Sequence, residues 1–311
     1  MNIVLSFVGP LKDYVVHCIQ QIRVYTDKPI YLIYSDLNSE FIEKIKLMNV
    51  TLIEYLSINK FNISERVRKR CKRTRQLEDR PDLFFRAFER FYLLHNLIIS
   101  KNLEKVLFLE VDNLIYDDPE NWLKILEKKE IAFMIDNINR ASTGLCFFNN
   151  KESIKKLIDF FQNDYFLHEN LSKIKVVNEM SAIADFYKKN KDISYILPSL
   201  CEDTKDRDLS NMFVNYNEWE SVFDPSSYGV YLLGSEKNIT GGVVKLYTKN
   251  NHGYITPKNV EWRIKDKLKK PYIVKGDKLV LINNLHVHSK LLKNGLSIHP
   301  NEIDNEIKGL I

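Results

Sequence analysis

Leu107-Phe108-Leu109-Glu110-Val111-Asp112-Asn113-Leu114-Ile115-Tyr116 decides how this chain is read. Four apolar residues, 106–109, run straight into two carboxylates spaced i, i+2, and an apolar and aromatic run follows. As a strand, 106–109 is buried. Strand side chains repeat every two residues, so Glu110 and Asp112 leave its C-terminal end pointing the same way. Open α/β sheets collect ligands outside the carboxyl ends of their strands. Two acids placed there suit a hard divalent cation that also holds a substrate phosphate. The plainer alternative is a strand followed by an acidic turn that only faces solvent.

Outward from this stretch, strand and helix patterns alternate. Residues 3–8 are strand-like and close on the turn signal Gly9-Pro10. Helical spacing covers 14–25, a second strand 30–34 ends at Ser35-Asp36, a helix spans 40–48 and a third strand 50–55. Pro81-Asp82 opens a helix whose broad apolar face carries Phe84, Phe85, Phe88, Phe91, Tyr92, His95 and Leu97. Beyond 106–109 come a short helix near 121–127, strands at 131–135 and 145–148, and a helix over 151–161. Strands alternating with helices predict βαβ units and a mostly parallel sheet. From about residue 200 helical periodicity fades, and loops and short strands are expected to lie over the site. Near the end, a strand over 279–285 runs into His286-Val287-His288-Ser289-Lys290, which supplies imidazoles, a hydroxyl and an ammonium.

Composition sets bounds. The chain has 311 residues, 44% of them hydrophobic, enough for a large core. It has no apolar run long enough to span a bilayer. The start, Met1-Asn2-Ile3-Val4, lacks the basic region and cleavage site of a signal peptide and reads as a core strand. Cys18, Cys71, Cys146 and Cys201 form no C-x-x-C pair, which argues against a zinc site or a disulfide framework and fits a reducing compartment. The net charge of +5 is concentrated in Arg66, Arg68, Lys69, Arg70, Lys72, Arg73 and Arg75. Without that run the remainder is slightly acidic. The run is either a solvated face or a contact for phosphates, anionic lipid or nucleic acid. No aromatics interleave with it, which weakens the single-strand nucleic-acid option.

In succession, several motifs resemble the nucleotide-sugar-dependent glycosyltransferases of the GT-A fold, particularly the bacterial and large-DNA-virus type. They are the turn Val8-Gly9-Pro10-Leu11-Lys12, Arg90-Phe91, the stretch 107–116, Phe223-Asp224 through Gly234, and Asn284-Leu285-His286-Val287-His288-Ser289-Lys290. Their order covers most of the chain. The sequence departs from the family pattern at two places. Glu110-Val111-Asp112 stands for Asp-x-Asp, and Val230 precedes Tyr231 where a polar Gln is expected.

The resemblance implies a twisted, mostly parallel mixed α/β sheet flanked by helices, with a C-terminal segment closing the donor site. Residues 1–235 would form the nucleotide-sugar and catalytic core, and 236–311 an extension completing the metal-diphosphate site within one structural domain. It implies Mn2+ or Mg2+ held directly by Asp112 and by His286 or His288, with Glu110 binding it through water or holding the ribose hydroxyls. Glu110 and Val111, with Lys290 and Ser289 at the diphosphate, would contact the donor. Phe7, Val8, Gly9, Pro10, Ser35 and Asp36 would face base and ribose, and Arg86 and Arg90 could reach the site from one helix face. Candidates for the acceptor-side acid or base are Asp224, Glu179 and Asp136. Asn178 could equally be an ordinary helix cap before Glu179. Trp122, Trp219 and Trp262 could stack on a sugar, although core packing suits at least two of them.

The expected reaction is sugar transfer from a nucleoside-diphosphate donor, UDP by prior, to a glycan or other hydroxyl acceptor in the cytoplasm. No specific nucleic-acid partner is expected, and residues 66–75 could provide a peripheral membrane or phosphate contact. One rival is a metal-dependent nucleotidyltransferase, for which Val8-Gly9-Pro10-Leu11-Lys12 is a poor phosphate loop. The other is a non-enzymatic basic binder of nucleic acid or membrane surface using the 66–75 run.

Overall fold

A computed structural model describes residues 1–58, 65–71, 82–167, 177–203, 211–234 and 259–298. A seven-stranded sheet runs in the order β3-β2-β1-β4-β7-β6-β8. Its strands are β1 (Asn2–Phe7), β2 (Ile30–Tyr34), β3 (Val50–Glu54), β4 (Val106–Glu110), β6 (Ile131–Asn137), β7 (Arg140–Phe148) and β8 (Ser194–Ile196). β7 runs antiparallel to both of its neighbours, and the other pairings are parallel. β5 (Asn113–Ile115) leaves the sheet to pair with β12 (Asn284–His286). A separate meander joins β9 (Val260–Lys265), β10 (Leu268–Lys275) and β11 (Lys278–Leu281). The expected mixed, mostly parallel α/β sheet is therefore present.

The central strands are buried on both faces, which explains their unbroken apolar runs. Ile3 and Leu5 of β1, with Leu107 and Leu109 of β4, pack on the side of α1 (Asp13–Tyr25). Val4, Val106 and Phe108 alternate to the opposite face, under α5 (Leu83–Lys101). α5 sinks Phe85, Phe88, Phe91 and Tyr92 into that second core, where Phe88 and Phe91 meet Phe161 edge-on. The other α-helices among the described residues are α2 (Phe41–Leu47), α3 (Tyr55–Ile58), α4 (Glu65–Cys71), α6 (Pro119–Leu126), α7 (Lys151–Phe160), α8 (Glu179–Lys189), α9 (Tyr216–Trp219) and α10 (Ser227–Leu233). Among the described residues no helix is long and apolar enough to cross a membrane.

Three boundaries differ from the sequence expectation. β7 begins at Arg140 rather than near 145, because a tight turn folds it directly onto β6. The strand expected over 279–285 is two strands. β11 ends at Leu281, Asn283 donates from its backbone to Val222, and β12 then turns to pair with β5. The segment after 200 also includes α10, which a run of Ser, Tyr, Gly and Leu did not announce.

This topology locates the site. β1 lies between β2 and β4, and the connections to those two neighbours cross opposite faces of the sheet, through α1 on one and α5 on the other. Such a switch point opens a crevice at the carboxyl ends of the strands. Ser6 of β1 stands in register with Glu110 of β4 at that edge.

Candidate functional site

Two cavities of about 220 and 250 Å³ open over this edge. They share a partition of Leu83, Ala87, Arg90, Glu110, Asp112 and Lys290. The first continues over Ser6, Phe7, Val8, Tyr14 and Arg86. The second continues over Thr143, Glu179, Met180, Pro225, His286 and His288. α5 contributes Leu83, Arg86, Ala87 and Arg90, spaced three or four residues apart and therefore on one helix face.

The β5–β12 ribbon joins distant parts of the sequence. His286 pairs across it with Asn113, next to Asp112, and Val287 donates from its backbone to the carbonyl of Asp112 at 2.8 Å. His286 Nε2 consequently faces Glu110 Oε2 at 3.2 Å and Asp112 Oδ2 at 3.4 Å. One ligand atom from each of the three residues lies within 4.8 Å of the others. The expectation that Glu110 and Asp112 converge is met. Of the two histidines, His286 joins them, because β12 ends there and the chain turns before His288. The rings still touch edge-on, with centroids 4.7 Å apart.

Cations balance the acids. Lys290 pairs with Asp112. Arg90 pairs with Glu110, and its other nitrogen lies 3.2 Å from Glu179 and donates to Thr143 Oγ1 at 2.6 Å. Burial pushes the Glu110 carboxyl up, but Arg90 and His286 outweigh burial and hold it at about 2. Asp112 behaves likewise: burial opposes ionisation, and Lys290 and His286 bring it well below the usual carboxylate range. For His286 burial acts downward, yet Asp112 and Glu110 raise it to about 10. Burial, together with the charge on His286, lowers His288 to about 4. Burial raises Glu179 despite the nearby Arg90. Its Oε2 is buried without a hydrogen-bond partner beside the second cavity.

Two carboxylates and one imidazole nitrogen form a donor set suited to Mn2+ or a similar borderline ion. Packing aims the ring. A Cβ on Gly144 would stand 2.8 Å from His286 Nδ1, and one on Gly229 would stand 2.3 Å from the His286 carbonyl oxygen. Nδ1 itself has no hydrogen-bond partner, so close packing, not a second hydrogen bond, sets the ring. These residues fit a divalent ion.

Asp224 is placed differently from its expected role as an acid or base. It is fully buried. Oδ1 accepts from the backbone of Ser226 and Tyr228, each at 2.9 Å, and Oδ2 from Gly229 at 2.7 Å and His286 at 2.9 Å. Both oxygens are consumed in holding the start of α10 against β12, which leaves none for a substrate proton. Asp136 lies on β6, and its side chain is outside the described residues. Asn178 caps α8, accepting from Ser181 at 2.8 Å, and Glu179 follows in the cavity wall, so the two readings of that segment hold together.

Around the first cavity, Phe7, Val8, Val111 and Arg86 are wall residues. Arg86 also pairs with Glu89 at 2.5 Å. Gly9 (φ +130°) donates to Ser35 Oγ at 2.8 Å, and Leu11 donates to Asp36 Oδ2 at 3.0 Å. Ser35 and Asp36 thus hold the Gly9-Pro10 turn and line neither cavity. Ser289 Oγ accepts from Leu291 at 3.3 Å and lines neither, and Val230 lies in α10 away from both. The three tryptophans pack on aromatics: Trp122 and Trp219 on Phe223, Trp262 on Tyr116. In the basic run, Arg68 lies 3.8 Å from Asp82 and over the Phe85 ring, whereas residues 72–75 lie outside the described residues.

Sequence reasoning missed Asn113, Asn284, Gly144 and Thr143. Asn284 Nδ2 donates to Asn113 Oδ1 at 2.8 Å, Asn113 donates to the Gly144 carbonyl at 3.0 Å, and Asp224 donates from its backbone to Asn284 Oδ1 at 2.9 Å. For Asn113 and Asn284 the available signal was their place inside the two quoted motifs, as uncharged amides next to an acid or two residues before a histidine; Gly144 and Thr143 gave none.

No protein-family profile matches the sequence, and no curated protein matches it. Solved structures resemble the fold. Mouse xyloside xylosyltransferase 1 aligns over 64% of this chain and 86% of its own, at 8% identity and a TM-score of 0.46. The glycosyltransferase GlyE of Streptococcus pneumoniae aligns over 70% of this chain, at 17% identity and 0.40; this chain spans 48% of that one. A cytidylyltransferase from Leptospira borgpetersenii aligns over 68% and 79%, at 10% identity and 0.34. Likenesses at this level assign neither an activity nor a residue.

Proposed function

We propose that this chain is a metal-dependent glycosyltransferase that takes a sugar from a nucleoside-diphosphate donor, UDP in the first instance. A hydroxyl of a glycan or similar molecule would be the acceptor. The observation that carries this reading is the convergence of Asp112, Glu110 and His286 at the switch-point crevice, with Lys290 and Arg90 as adjoining cations. Asp112, Glu110 and His286 would hold Mn2+ or Mg2+. When bound, the ion supplies Lewis-acid stabilisation of the charge that develops on a departing diphosphate.

The chain's own residues do the rest. Phe7, Val8, Val111 and Arg86 form the wall for base and ribose, and Gly9, Pro10, Ser35 and Asp36 shape the turn behind it. Lys290 supplies a point charge for diphosphate oxygens, and Ser289 adjoins it. Arg90 keeps Glu110 and Glu179 apart in charge and place. Glu179, beside the second cavity with one oxygen unpartnered, is the candidate to accept the acceptor hydroxyl's proton or to hold a sugar hydroxyl. Asp136 stays a second candidate. Of the C-terminal extension proposed over 236–311, the described residues 259–298 would complete the donor site through His286 and Lys290, and 236–258 and 299–311 lie outside the described residues. The basic run is proposed only as a peripheral phosphate or lipid contact.

Product analysis separates this reading from nucleotidyl transfer. With Mn2+ and a panel of nucleotide sugars, slow hydrolysis or transfer should release a nucleoside diphosphate and no pyrophosphate. Pyrophosphate released from a nucleoside triphosphate and a sugar phosphate would favour nucleotidyl transfer instead.

A further inference from the structure

Lys290 sits on a backbone that lysine seldom adopts, at φ +60°. The turn is pinned there: Val287 donates to the Asp112 carbonyl at 2.8 Å, and Lys290 donates to the Val287 carbonyl at 3.1 Å. The backbone of Asp112 therefore carries the turn that returns an ammonium to its own carboxylate. The oxygen that Lys290 reaches, Oδ2, is also the one that faces His286 Nε2. A candidate metal ligand is thus already occupied by a tethered cation. The Lys290 side chain is 31% exposed and forms part of the partition between the two cavities, so it can swing without leaving the cleft.

We propose that Lys290 is a resident counter-cation of the metal site, displaced from Asp112 when a divalent ion binds and taken up by the incoming diphosphate. The proposal rests on the metal-dependent donor site argued above. Asp112 Oδ2 already faces both Lys290 and His286, and a divalent ion added there would strongly repel the Lys290 ammonium in a largely buried setting. A metal arriving alone must break the Lys290–Asp112 pair and leave the ammonium without a partner. A diphosphate arriving with it provides that partner. Metal and nucleotide should then bind with positive coupling, and each should strengthen the other by the same factor.

Calorimetric titration of the full chain with Mn2+ tests this, using the wild type, Lys290→Met, Lys290→Asn and Asp112→Asn. Asn tolerates a left-handed backbone, so it removes the charge without adding strain. Both Lys290 variants should bind Mn2+ alone about tenfold tighter than the wild type, and the factor by which UDP raises Mn2+ affinity should be about tenfold larger in the wild type than in the variants. If they bind Mn2+ no tighter, while Asp112→Asn abolishes binding, the metal site stands and the counter-cation role is overturned. A gain in Lys290→Met alone traces to packing and overturns it too. Absence of Mn2+ binding in every form removes the metal site itself, and the proposal with it.

Discussion

His286 Nε2 lies 3.2 Å from the Oε2 of Glu110, although the two residues are far apart in the sequence. The contact exists because β12 pairs with β5 immediately after the acidic stretch. A pH dependence follows. Free histidine titrates near 6.5, and Asp112 and Glu110 raise His286 to about 10 against the downward effect of burial. A raised folded-state pKa adds stability that is present in full below 6.5 and is lost as pH rises through about 10. In metal-free protein, His286→Asn should lower the urea midpoint at pH 6, with the gap to wild type closing towards pH 10. A gap constant across that range would contradict a charged His286.

Arg90 lies between the half-buried Glu110 and the buried Glu179. Arg90→Ala leaves Glu110 and the buried Glu179 without their cation in the partition between the cavities, which should cost about 3–5 kcal/mol, as for other broken buried ion pairs. Urea unfolding measures it. Glu179→Gln keeps the volume and removes the charge, so it should spare stability and reduce transfer. Equal stability loss in both variants would place Glu179 among structural groups.

Asp224 anchors four backbone N–H groups. Asp224→Ala should destabilise by about 3 kcal/mol or more, because buried donors lose a charged acceptor. The start of α10 and the approach of His286 should both loosen. A group used as a base would show the reverse, with intact stability and lost turnover.

Gly144 packs against His286 Nδ1 at a distance no Cβ tolerates. Gly144→Ala should tilt the imidazole, weaken metal binding about 10- to 100-fold as outer-shell changes do, and cost about 1–3 kcal/mol from overpacking. Metal titration and urea unfolding report the two effects separately.

Much of this was legible in the sequence because period and burial agree. The run ending at Glu110 read as a buried strand, and its helix partner, with Phe85, Phe88 and Phe91, declared itself by spacing. The nearness of Glu110 and Asp112 was expected from a period of two, but β4 ends at Glu110 and Asp112 reaches the site from the turn before β5. The choice between His286 and His288 was not legible, because it depends on where β12 stops, and pairing with β5 decides that. Asp224 misled for a related reason: a carboxylate in a turn reads the same whether its oxygens face solvent or four backbone donors. Gly144 and Thr143 carry no chemical signature of their own. Only the antiparallel return of β7 beside β4 brings Gly144 to His286 and Thr143 to Arg90.

The most direct test of the donor site is thermal unfolding with nucleoside diphosphates and nucleotide sugars, with and without Mn2+, for wild type and Asp112→Asn side by side. Ligand at a hundredfold excess over its Kd adds about 2.7 kcal/mol to the native state. A metal-dependent rise in Tm with one nucleotide, absent in Asp112→Asn, is the predicted result. No rise with any nucleotide at millimolar concentration in the presence of Mn2+ would contradict a nucleotide-sugar site at this crevice.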